Sequence, residues 1–139
     1  MRRLIFVLFV FLTLAANAAA AADTQVAVIC ENKAVPSAGG YTSSVLDVGS
    51  AEGYFSLQLV ARGNGTVEVQ YQASVDGTTW AEPQGATPVF SGVTKTSGPH
   101  SDGIEIIQPA PAFARYLRFC IKETGGSSAV LVTLKLAWR

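Results

Sequence analysis

The sequence predicts an all-β protein: a single antiparallel β-sandwich, jelly-roll-like, with seven or eight strands. Three observations support this fold class. Beyond residue 22, apolar and polar residues alternate with the period of two that half-buried strands show. The alternating runs are short, and Gly, Asn, Asp and Pro residues that favour turns separate them. No run in this part of the chain repeats at helical spacing, so strands at this density indicate a sandwich.

Residues 1–22 have the three-part pattern of a secretory signal peptide. Met1-Arg2-Arg3 precede an apolar run, and small residues with two Ala-x-Ala cleavage candidates follow it. The apolar run, residues 4–14, is shorter than the ~20 residues that a membrane-spanning helix needs. We therefore expect residues 1–22 to be cleaved and residues 23–139 to form one sandwich domain. The expected location is secreted, periplasmic or at the cell surface.

Charge argues against one class of partner. Removing Arg2 and Arg3 from ten basic residues leaves eight against ten acidic ones, a net charge of −2. Nucleic-acid binding needs a basic stripe to neutralise phosphate, and the sequence has none. After the predicted signal peptide, no apolar stretch is long enough for a membrane span. We expect neither nucleic acid nor a membrane span.

The predicted strands follow the alternating runs along the chain. The runs at 54–61, 66–74, 115–123 and 128–138 place their apolar residues on one face and their polar residues on the other, as one buried and one wet face of a sheet requires. Asn64-Gly65 stands between two of them and predicts a hairpin, because both residue types tolerate positive φ. The runs cover residues 24–31, 42–48, 54–61, 66–74, 103–108, 115–123 and 128–138, with shorter ones at 78–81 and around 89–90.

Two cysteines, Cys30 and Cys120, remain after residue 22. An even count in an exported chain favours a disulfide, and this one would close a loop of roughly 90 residues. Buried free thiols are the alternative. Cys120 lies opposite the apolar row of its own strand, so it could also link two chains rather than fill a core.

Three stretches together resemble a known family. They are "VQYQASVDGTTW" (Val69–Trp80), "FARYLRFCI" (Phe113–Ile121) and the closing "VLVTLKLAW". They resemble discoidin-type and related galactose-binding-like jelly rolls, in which a strand enters a Ser-x-Asp-Gly-x-x-Trp corner. The resemblance implies that Asp76 caps the turn, Gly77 supplies positive φ and Trp80 packs against the sheet. This chain lacks the family's aromatic-rich early segment, so the family's ligand rim does not carry over.

The candidate binding residues come from these stretches: Asp76, Trp80, Arg115, Tyr116 and Arg118. Each has a structural alternative. Trp80 is more readily explained as a core or edge anchor than as a sugar platform. The two arginines could form an anion site, or could occupy a solvated strand end, with Arg118 stacked on Tyr116 or paired with an acid.

Metal binding and catalysis have weaker support. Asp47, Asp76, Asp102 and Glu105 could supply oxygen ligands to Ca²⁺, although no EF-hand-like run is present. The metal site is otherwise undefined, and no other cofactor is expected. The lone histidine, His100, lies in a loop without a nucleophile-elbow motif.

The sequence therefore predicts a non-catalytic binding module, with a surface glycan or protein as its partner. The alternative is a structural subunit of an extracellular fibre or surface assembly. A low charge content, a long apolar last strand and an outward Cys120 motivate that alternative, because an unpaired edge strand can template strand addition between chains.

Overall fold

The computed structural model describes residues 23–49, 51, 53–83, 88–109 and 114–139. The predicted signal peptide lies outside them. The described residues form nine strands and no helix: β1 (Gln25–Val35), β2 (Gly40–Thr42), β3 (Leu46–Asp47), β4 (Phe55–Gly63), β5 (Val67–Ser74), β6 (Phe90–Val93), β7 (Ile104–Ile107), β8 (Tyr116–Glu123) and β9 (Val130–Trp138). Within these ranges there is accordingly no helix that could cross a membrane.

The strands form two antiparallel sheets. The first sheet has the order β1-β9-β4-β7, and the second has the order β2-β8-β5-β6, with β3 also pairing with β8. Because β2 and β3 both pair with β8, they amount to one interrupted strand, which leaves two sheets of four. The chain passes from one sheet to the other at most connections, which is the jelly-roll arrangement. The predicted β-sandwich is confirmed.

The core lies between the two sheets and uses the rows that alternation predicted. Side chains of β4 and β9 from the first sheet meet those of β5 and β8 from the second. The burial pattern of β8 alternates strictly until its end, with Leu117, Phe119 and Ile121 inside. The other large buried members include Leu57, Leu59, Val67, Val69, Tyr71, Val130, Val132, Leu134 and Leu136.

The predicted hairpin at Asn64-Gly65 is wrong. β4 belongs to the first sheet and β5 to the second, so the turn is a corner between sheets. Gly63 takes the positive φ, at 95°, and neither residue of the predicted turn does. Gly65 is needed for another reason: a Cβ there would lie 2.6 Å from the carbonyl oxygen of Ser128. The alternation on both sides was correct, but it does not specify which strands pair.

Two further expectations about strands need correction. The run at residues 78–81 is a turn that ends in a single bridge between Ala81 and Ala73. The run at residues 42–48 is broken after Thr42, where the Ser43 hydroxyl oxygen accepts the Phe119 N–H that a strand carbonyl would otherwise accept. The last strand, β9, lies between β1 and β4, so it is not a free edge.

Glu123 fastens three loops at one end of the sandwich. Its carboxylate accepts four backbone N–H bonds, from Ala38 (2.8 Å), Thr66 (3.0 Å), Gly125 (2.8 Å) and Gly126 (2.9 Å). These bonds lower the pKa of Glu123 from 4.5 to about 2, the one from Ala38 contributing most. The stabilisation is therefore complete above pH 4.5 and is lost as the pH falls towards 2.

Candidate functional site

The corner after β5 is built around Asp76. Its Oδ1 accepts hydrogen bonds from the backbone N–H groups of Thr78 and Thr79, both 2.8 Å long, and from the Ser74 hydroxyl at 2.9 Å. These donors, the Thr79 N–H above all, hold the pKa of Asp76 well below its usual range. Gly77 has a φ of 75° and lies against the ring of Tyr116. The predicted cap and the predicted positive φ are both confirmed.

Trp80 follows this turn and lies on the outer side of the second sheet. It is half-buried and does not belong to the core between the sheets, so of the expected core or edge anchor only the core position is excluded. The guanidinium carbon of Arg118 lies 4.5 Å from the centre of the Trp80 ring. Arg118 points outward because its neighbours on β8, Leu117 and Phe119, fill the core. The expected stacking of Arg118 on Tyr116, or its pairing with an acid, is replaced by this contact.

Gln72 completes a three-residue group on this outer face. It lies directly opposite Arg118 in the register of β5 with β8. Its Oε1 accepts a hydrogen bond of 2.7 Å from Nε of Arg118. The guanidinium is thus fixed from below by an aromatic ring and from the side by an amide. We call Gln72, Trp80 and Arg118 the outer-face cluster.

Arg115 is committed to a different interaction. Its Nε contacts both carboxylate oxygens of Asp47 at 3.2 Å, and its Nη2 lies 2.9 Å from Oδ2. The Arg115 hydrogen bonds, followed by that of the Gly49 N–H, lower the pKa of Asp47, and Asp47 in turn raises the pKa of Arg115. Arg115 also lies 5.1 Å from the ring centre of Tyr116. Because its charge is already balanced, Arg115 is a weak candidate for binding a free anion.

A cleft of about 620 Å³ opens beside this ion pair, at the end of the sandwich where β8 begins and β9 ends. Asp23, Asp47, Arg115, Trp138 and Arg139 are among its lining residues. A shallower recess of about 300 Å³ shares Trp138 and Arg139 with it and adds the exposed ring of Tyr54. Arg139 lies 5.1 Å from the centre of that ring. Both recesses are open; Asp47 and Arg115 in the cleft balance each other, and Arg139 is stacked on Tyr54.

All five residues predicted to bind a ligand therefore lie near one end of the second sheet, but they do not form a single site. Arg118 and Trp80 belong to the outer-face cluster, whereas Arg115 lines the end cleft. Tyr116 and the Asp76 turn lie between them. Sequence reasoning missed Gln72, because its position opposite Arg118 follows from the pairing of β5 with β8, which alternation alone does not reveal.

The predicted bridge between Cys30 and Cys120 is not formed. Both are free thiols, and they lie on different sheets. Cys30 is buried, its Sγ contacts the Val132 carbonyl at 3.6 Å, and burial raises the pKa of its thiol. Cys120 faces outward, where the Thr42 hydroxyl lies 3.9 Å from its Sγ. One thiol inside the core and one outside it cannot meet without rearranging a strand.

The four acids considered as Ca²⁺ ligands are used separately. Asp47 pairs with Arg115, and Asp76 caps its turn. Asp102 Oδ1 accepts the backbone N–H of Ile104 at 3.1 Å, and Glu105 lies on the edge strand β7. Across the described residues, no group of three or more His, Cys, Asp or Glu side chains could hold a metal ion.

His100 is exposed in the turn between β6 and β7. Its neighbour Ser97 serves that turn, since its Oγ accepts the backbone N–H of Thr94 at 2.9 Å.

No protein-family model matches the chain, and no curated protein matches it. The functional argument consequently depends on the geometry of the site.

Proposed function

We propose that the protein is an exported, non-catalytic binding module that holds a glycan on the outer-face cluster of Gln72, Trp80 and Arg118. The fixed guanidinium of Arg118 is the observation that carries this proposal. Export is supported by the signal-like pattern of residues 1–22, and the resemblance to galactose-binding-like jelly rolls is an analogy at the level of fold.

Hydrogen-bond capacity favours an oxygen-rich ligand. A guanidinium has five N–H donors, and Arg118 gives one of them to Gln72. In the part of the chain that the structure describes, Arg118 makes no ion pair, which leaves its other N–H donors for a ligand. The side-chain amide of Gln72 adds two more donors beside it. Hydroxyl and carboxylate oxygens of a sugar match such a donor edge.

The residues of the outer-face cluster are held more rigidly than loop residues would be, which favours this cluster as the binding site. Gln72 and Arg118 stand on paired strands, β5 and β8, in the middle of the second sheet. Trp80 is held in place by the Asp76 turn and covers one face of the guanidinium. Side chains that are fixed before binding lose less conformational entropy when a ligand arrives.

The charge of Arg118 predicts the preferred sugar. A carboxylate can accept two parallel N–H bonds from a guanidinium, and such bonds are stronger than bonds to a neutral hydroxyl. A glycan that carries a uronic acid should therefore bind more tightly than its neutral counterpart.

The test is a binding titration with matched neutral and carboxylate-bearing oligosaccharides. Arg118→Met keeps an unbranched apolar side chain over Trp80 and removes the donors. Lys135→Met is the matched control, because it removes an exposed cation from the opposite sheet. We expect Arg118→Met to weaken binding of the acidic sugar at least tenfold and Lys135→Met to leave it unchanged. Equal affinities for all three proteins would refute the site.

The alternative, a structural subunit of a surface assembly, is favoured by a different feature, the free edge of β1.

A further inference from the structure

The edges of the two sheets are not equally protected. β6 and β7 have four residues each, and the β2–β3 edge is interrupted at Ser43. β1 has eleven residues and, among the strands that the structure describes, is one of the two edge strands of the first sheet, the other being β7. Natural proteins blunt free edges with short strands, charges, prolines or bulges, because unpaired backbone groups invite another strand.

Protection of β1 is concentrated in its second half. There the strand carries Glu31 and Lys33, Asn32 takes a φ of 46°, and the register with β9 shifts a second time, after a first shift between Val28 and Cys30. The first half, Gln25–Ile29, has no charge, no proline and a regular register up to Val28. Val26 and Val28 point to the outer face, where their side chains are 67% and 55% exposed.

We propose that Gln25–Ile29 pairs antiparallel with the same segment of a second copy of this chain, across a two-fold axis. Such a pair is self-complementary, since each copy presents the same edge to the other. It places the two exposed valines of each chain beside those of its partner and joins the first sheets of both copies. The segment lies on the opposite sheet from the outer-face cluster, so the inference is independent of the proposed function.

The pattern of the outer face favours this edge pairing over stacking of the two faces. One row across the sheet runs Val28, Lys135, Gln58 and Ile106. Lys135 is exposed, and no ion pair of it is found within the described ranges. Face-to-face stacking would bury this lysine near its symmetry copy, which is costly. Edge pairing leaves it in water.

The size of the contact predicts its strength. Five residues of strand extend over roughly 17 Å, so the paired edges bury much less than the ~1,600 Å² of a standard stable interface. We therefore expect a weak dimer that forms as the protein concentration rises from micromolar towards millimolar.

Sedimentation equilibrium of the purified protein across that concentration range tests the inference. Val28→Glu is the test variant: its carboxylate lies opposite Lys135 in the same sheet, which favours the fold, but it puts a charged side chain beside the exposed valines of the other copy. Val45→Glu is the control, a valine 50% exposed in the segment between β2 and β3. If Val28→Glu fails to fold, Val26→Glu takes its place.

We expect the wild-type mass to rise towards that of a dimer, Val28→Glu to weaken association at least tenfold, and Val45→Glu to match the wild type. Hydrogen exchange should slow at residues 25–29 as concentration rises. A monomer at every concentration, association that Val28→Glu leaves intact, or an equal effect of both variants would overturn the inference.

Discussion

Replacing Ser43 by alanine should destabilise the sandwich, chiefly because the buried Phe119 N–H loses its hydrogen-bond acceptor. Ser43 lies where the second sheet's edge is interrupted between β2 and β3. Its backbone N–H still pairs with the Phe119 carbonyl at 2.9 Å, while its hydroxyl oxygen accepts the Phe119 N–H at 2.9 Å. The same hydroxyl donates to the Ser44 carbonyl at 2.8 Å. The side chain thus supplies the acceptor that a continuous strand would have provided.

The size of the effect follows from the burial of this bond. Ser43 is 8% exposed and Phe119 is 2% exposed, so alanine leaves the Phe119 N–H without a partner and with little access to water. A buried donor in that state costs about 1–3 kcal/mol. Urea unfolding followed by tryptophan fluorescence should show this loss as a midpoint lower by roughly 1 M, given slopes of about 1–3 kcal/mol/M for small proteins.

Ser44→Ala is the control for this prediction. Ser44 is exposed and contributes only its backbone carbonyl to the network, which alanine retains. Its free energy of unfolding should stay within about 0.5 kcal/mol of the wild type, as for most surface changes. Equal stabilities for Ser43→Ala and Ser44→Ala would refute the view that the hydroxyl substitutes for a strand acceptor.

Three further predictions concern other parts of the molecule. Glu123→Gln should destabilise the protein above pH 4.5, because the amide presents an NH₂ group to two backbone N–H donors, and its difference in stability from the wild type should shrink as the pH falls towards 2. Glu31→Gln is the exposed control, and an acid-unfolding curve that Glu123→Gln leaves unchanged would contradict the prediction. Gly77→Ala should lower the free energy of unfolding by about 1–2 kcal/mol, because the left-handed φ is unfavourable for alanine and its Cβ would lie 3.3 Å from the Tyr116 ring. A gain in stability would contradict this prediction. Alkylation of the folded protein without reductant should label Cys120 much faster than the buried Cys30, and alkylation after unfolding should label both thiols. No label after unfolding would mean that a disulfide exists.

Alternation identified the strands and their buried faces because each strand's pattern is local. The apolar residues of β4, β5, β8 and β9 face the core as predicted, because burying them away from water is favourable whichever strand lies next to them. The pairing of those strands was not local. The Asn64-Gly65 turn looks like a hairpin, yet the core forms only when β4 and β5 lie on opposite sheets.

The candidate site was predicted in part for the same reason. The turn chemistry of Asp76 and Gly77 depends on four adjacent residues, so it could be read from the sequence. The partner of Arg118 depends on strand register and on where a turn returns the chain, and neither is visible in a short motif. Gln72 and Trp80 meet Arg118 only after folding.

The most direct test of the account is the affinity of the wild type and of Arg118→Met for one carboxylate-bearing oligosaccharide that the wild type binds, with Lys135→Met beside them. We predict that Arg118→Met binds at least tenfold more weakly, while Lys135→Met and the wild type agree. If no acidic or neutral glycan binds the wild type, or if Arg118→Met binds as well as the wild type does, the outer-face cluster is not a glycan site.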